Sequence, residues 1–165
     1  MPFNTAGSVI STDLDNMVRG LNRDNSDTVL TNTTNETVVK SFMIPANVIG
    51  PTGGFHLRVC GTEAGTNSTK TIKLKFGSTL IATITDLSGT TNAWYFDVWC
   101  FNTATNAQRW FVQRRTNDLL TSQFSYVTSA EDTTQNKLLS VTGQLGSALD
   151  TITGTMWDLF VVQIN

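Results

Sequence analysis

Apolar and polar residues alternate along 70–84. Ile72, Leu74 and Phe76 oppose Thr71, Lys73 and Lys75, and after Gly77-Ser78 the alternation resumes with Leu80, Ala82 and Ile84 against Thr79, Ile81 and Thr83. A period of two sends successive side chains to opposite faces, so this stretch predicts a β-hairpin with one face buried. The same pattern recurs at 36–44, where Pro45 stops it, and at 55–60, where Phe55, Leu57 and Val59 point inward. Weaker or shorter versions occupy 108–115, 121–128, 137–141 and 151–164. Segment 93–101 differs, because Trp94, Phe96, Val98 and Cys100 line one face while Tyr95, Trp99 and Phe101 line the other, interrupted only by Asp97. A strand that is apolar on both faces lies between two layers, or between a core and a partner.

Eight or nine strands, separated by short Gly/Pro/Thr/Asn turns and without βαβ alternation, predict an all-β protein. The expected architecture is an antiparallel β-sandwich of jelly-roll type spanning 26–165. The N-terminal stretch reads differently. Leu14, Met17, Val18 and Leu21 recur at helical spacing, and Thr12 followed by Asp15 suits a capped start. Residues 1–25 are therefore expected to form an arm with a short helix. Two turns are too few to be stable unless they pack on something, so the stripe is a candidate docking segment.

Composition sharpens this picture. Only 15% of the 165 residues are charged, below the usual quarter, while threonine makes up about one residue in six. Water is met by hydroxyls and amides, as on rigid β proteins that sit against neighbours. A net charge of −2 argues against a nucleic-acid partner, since phosphate neutralisation needs a basic patch. No apolar run approaches the length of a bilayer span, which argues against a membrane partner. Cys60 and Cys100 read as reduced strand thiols.

Chemistry is hard to find. The single histidine, His56, lies on a strand about 13 Å from Cys60 if both are extended. No spacing of His and Cys suits zinc, and no nucleophile elbow or phosphate loop occurs. The acid pairs Asp13/Asp15, Asp24/Asp27 and Glu131/Asp132 fall in polar turns. Asp97 is expected to pair with Arg109 or Arg115 on the next strand, because a carboxylate among aromatics needs a partner. No enzyme, metal or cofactor is expected.

The segments DLDNMVRGLNRDN, ETVVKSFMIPANVIG, GTNSTKTIKLKFG and LSVTGQLGSALDTITG, taken in order, resemble small jelly-roll virion proteins of tailed bacteriophages. That group includes head fibres, capsid decoration (cement) proteins and tail appendages. The resemblance implies a non-enzymatic homotrimer, made in the host cytoplasm and held on the virion by its N-terminal segment. The reading that follows is a cement protein on the capsid surface, bound to the major capsid protein and open to contact with other virion proteins. The apolar second face of Tyr95, Trp99, Phe101 and Phe111 offers the subunit interface, and Leu14, Met17, Val18 and Leu21 offer the capsid-docking stripe. The alternative is a head- or tail-fibre module that recognises the host cell surface. Against it, the loops GTEAGTNST, TDLSGTTN and NTATNA carry no aromatic platform.

Overall fold

The computed structural model describes residues 18–86, 89–116 and 123–162. Eleven strands occur in chain order: β1 (Val18–Asp24), β2 (Thr28–Leu30), β3 (Thr37–Ile44), β4 (Gly54–Ala64), β5 (Lys70–Phe76), β6 (Thr79–Asp86), β7 (Asn92–Ala104), β8 (Ala107–Thr116), β9 (Gln123–Ser129), β10 (Lys137–Gln144) and β11 (Thr151–Val162). They form two antiparallel sheets. The larger runs β1-β11-β4-β7-β8-β9, with β2 also on β11, and the smaller runs β3-β10-β5-β6. The chain changes sheet at six of the ten steps between strands, and most paired strands are not consecutive in sequence. The β8–β9 hairpin is an addition at one end, extending the larger sheet past β7.

The sheets meet over one core, and its inward residues are largely those that the alternation picks out. Phe55, Leu57 and Val59 on β4, Trp94, Phe96, Val98 and Cys100 on β7, and Ile72, Leu74 and Phe76 on β5 are all buried. Trp110 of β8 anchors one end, packing edge-on against Phe55 and Phe76 at centroid distances of 5.4 and 5.3 Å. Both cysteines are free, Cys100 inside and Cys60 half-buried on the outer face.

Three expectations change. No helix forms among the described residues, and the expected arm contributes strand β1 instead. The exposed ladder of β11 supplies main-chain partners that two helical turns, weakened by Gly20, would have lacked. Val18 pairs with Val162, and Leu21 sits at a bulge between the Gly20 and Asn22 pairings, packed against the core rather than free to dock. Leu14 and Met17 lie outside the described residues. The strand count rises to eleven because β1 and β2 join the expected nine. In the 70–84 hairpin a register shift after Leu74 leaves Leu80 exposed and buries Ile81 beside Ala82 and Ile84.

Three buried charges tie loops to the sandwich. Lys40 of β3 reaches across to Asp24 Oδ2 at 2.8 Å and to the Ser26 carbonyl, fastening the β1–β2 connection to the opposite sheet. Asp150 accepts from Thr66 N at 2.7 Å, Thr66 Oγ1 at 2.8 Å, Ser147 N at 3.1 Å and the Ser68 hydroxyl. Glu131 accepts from Ser78 N and Oγ, Thr79 Oγ1 and Lys137 Nζ at 2.8–2.9 Å, gripping the turn at Gly77, whose φ of 57° suits glycine.

Candidate docking face

The outer face of the larger sheet is organised by register. Antiparallel pairing sets residues of successive strands directly opposite one another, so outward side chains form rows perpendicular to the strands. One row runs Phe160, His56, Trp99, Phe111, Tyr126 from β11 to β9. The next row runs Arg23, Asp158, Arg58, Asp97, Gln113, Phe124 from β1 to β9. At about 4.8 Å between strands, the first row of five is roughly 19 Å long and the second row of six roughly 24 Å.

The second row opens with four alternating charges and pairs internally. Arg23 grips Asp158 with two bonds, Nε to Oδ1 at 2.5 Å and Nη2 to Oδ2 at 3.2 Å. Asp97 accepts from Arg58 Nε at 3.2 Å and shares a 2.6 Å bond with His56 Nε2. The expected partners Arg109 and Arg115 are not used. Arg109 stands opposite Phe101, two outward positions from Asp97, and Arg115 opposite Tyr95, one outward position away on the other side. Register thus gives Asp97 to β4 instead of β8.

The first row is aromatic. Trp99 stacks on His56 at 4.1 Å with the rings 5° from parallel, and Phe101 lies parallel to it at 6.0 Å. Phe111 and Tyr126 meet edge-on at 5.4 Å. Exposure rises toward the β9 edge, from 39% at Trp99 to 53% at Phe111, 55% at Tyr126 and 76% at Phe124. These four rings, with Asp97 and Gln113, line an open depression of about 470 Å³. At roughly 200 Å² per ring they leave on the order of 450 Å² of aromatic surface in water. A patch of that size is as large as the largest found on typical monomers, where it is often functional.

Of the residues expected at a subunit interface, the structure brings Tyr95, Trp99, Phe101 and Phe111 onto this one face. Trp99 and Phe111 lie in the depression, and Tyr95 and Phe101 flank it half-buried. Tyr95 has its phenol pKa pushed up, by burial first and by Asp97 second. Sequence reasoning missed Phe124 and Tyr126, although their alternation with Ser125 and Val127 was visible. It also missed the stacking of His56 on Trp99, which depends on register. Exposed aromatics do exist here, but on strands and not in the loops where they were sought.

The His56 imidazole is held between the Asp97 carboxylate and the Trp99 ring. Among the described residues no three His, Cys, Asp or Glu side chains come together to hold a metal.

No family model matches the chain, and no curated protein matches it. Solved structures are similar to it at low identity. One is the CBM2 module of the evolved Dit of Lactobacillus casei BL23 phage J-1, at TM-score 0.45 and 9% identity over 76% of this chain and 69% of that one. Others are the lectin UEA-II complexed with galactose, at TM-score 0.41 and 10% identity, and lectin II from Ulex europaeus, at 0.42 and 13%. Each lectin match covers 88% of this chain and 92% of the other.

Proposed function

We propose that this chain is a non-enzymatic structural protein of a bacteriophage particle. In this reading it is a capsid decoration (cement) protein that binds the major capsid protein and associates with copies of itself through the outer face of its larger sheet. The observation that carries the assembly part is the aromatic row, running out to an edge with no charge on it. The phage assignment rests on the sequence resemblance, and the wrapping of strands between two sheets supports its jelly-roll part. The resemblance implies a homotrimer, and an exposed aromatic face of this size suits cover by further copies. With Leu21 committed to the core, capsid docking by the N-terminal stripe is left to Leu14 and Met17, and to Val18 as its strand position allows.

A second reading, a fibre module that recognises a host-surface glycan, is favoured by the polar row beside the aromatic one, since a sugar offers both C–H faces and hydroxyls. The ring geometry weighs against it. His56 stacks on Trp99 at 4.1 Å, which takes one face of the indole from an incoming ring. Trp99→Glu tests the preferred reading. The variant should fold, because Trp99 is outside the core, and should fall from an oligomer to a monomer of 18.0 kDa in light scattering, with loss of addition to capsids. An unchanged mass would show that this face is not where copies meet.

A further inference from the structure

The two sheets have five edge strands; β2 is only three residues long, and three of the other four are defended against pairing. Charge, proline and bulges are the usual defences of an open edge. β1 carries Arg23 and Asp24 with a register shift, β3 carries Lys40 with a shift in its pairing to β10, and β6 ends in Asp86 and pairs with β5 through a shift. β9 has none of these. Its sequence QFSYVTS holds no charge and no proline, it pairs with β8 without a shift, and among the described residues it pairs with nothing else. It also bears the two most exposed aromatics of the face, Phe124 and Tyr126.

We infer that β9 is a self-pairing edge: two copies join β9 to β9, antiparallel, about a two-fold axis at Tyr126. The inference rests on the proposed self-association; a two-fold contact joins chains in pairs, so it stands in place of the trimer that the resemblance implies. A two-fold axis along the sheet normal keeps both cores on the same side only if outward residues oppose outward residues. Centring on Tyr126 meets that condition and also pairs all seven residues, setting Tyr126 against its mate and Phe124 against Thr128. An uncharged strand does this in any register without setting like charges opposite one another. The aromatic row then continues across the axis as Trp99, Phe111, Tyr126 and their three counterparts, joining two six-strand paths into one sheet. Main-chain bonds at an open edge supply affinity, and the alternate side chains fix register.

Cysteine cross-linking reads this register directly. Residues directly opposite in an antiparallel pair have Cα atoms about 4.5–5.5 Å apart, within disulfide reach. In a Cys60→Ser background, Tyr126→Cys should give mostly covalent dimer under mild oxidation. Thr128→Cys alone should give little, but should cross-link when mixed with Phe124→Cys. Leu149→Cys, fully exposed elsewhere, should stay monomeric. Failure of both Tyr126→Cys and the mixed pair, or equal cross-linking at Leu149→Cys, overturns the pairing. If the unmodified chain is then a trimer, self-association survives without this contact; if it is a monomer at every concentration, both are lost.

Discussion

Trp110→Ala lowers the unfolding free energy by about 3–5 kcal/mol, the usual cost of removing a large aromatic from a core. Trp110 is fully buried and completes an edge-on cluster with Phe55 of the larger sheet and Phe76 of the smaller, so its ring bridges the two layers. Its loss also breaks a polar chain. Nε1 donates to Ser129 Oγ at 2.8 Å, Ser129 donates to Gln108 Oε1 at 2.8 Å, and the same oxygen accepts from Glu131 N at 3.0 Å. Removing the indole leaves the Ser129 oxygen without that donor beside a cavity, and both effects destabilise. In thermal melts the midpoint should fall by roughly 10 °C or more. Trp110→Phe should lose less, since it keeps most of the ring. A drop of only a degree or two for the alanine variant would mean that the two layers are held together elsewhere.

Acid should unfold the protein through its loop-gripping carboxylates. Burial works against the charge of Glu131, but Lys137, Ser78 and Thr79 outweigh it, and the pKa falls from 4.5 to about 2. Glu36 falls from 4.5 to about 2 as well, held chiefly by Lys73, then Lys75 and Thr142. Asp150 is lowered too, despite burial, by bonds from Ser68 and Thr66. Each folded-state pKa lies below its unfolded value, so the unfolded chain binds more protons in that window and acid favours unfolding. The stability these groups contribute is complete above about pH 4.5 and is lost progressively as pH falls toward 2. Guanidinium midpoints should therefore be level from about pH 7 to 5 and decline steeply below about 4. Glu131→Gln should begin lower and show a shallower decline. Midpoints that stay flat down to about pH 2.5 would contradict the assigned bonds.

Facing was legible in the sequence and register was not. Period two alone places Phe55, Trp94 and Leu74 inward and Trp99 and Phe111 outward, because a strand's faces are fixed by its own residues. Which strands adjoin, and in what alignment, is fixed by partners far along the chain. Hence Asp97 was matched to the arginines of β8, although Arg58 of β4 stands directly opposite it. The bulges at Leu21 and Ile81 escaped notice for the same reason, since a local shift against a partner leaves no mark in one strand's pattern. At Val18 and Leu21 the helical spacing falls on a strand with a bulge, which suits the same spacing. The candidate face was half visible, as four aromatics on two strands. Its extension to Phe124 and Tyr126, and the row of charges beside it, exist only once six strands are set in register.

In the proposed function, this protein works by assembly through the outer face of its larger sheet. Sedimentation velocity of the unmodified chain across a wide concentration range tests it most directly. The account predicts a discrete species of two or three times the chain mass that dissociates only on dilution. A single 18.0 kDa species at every concentration would contradict it.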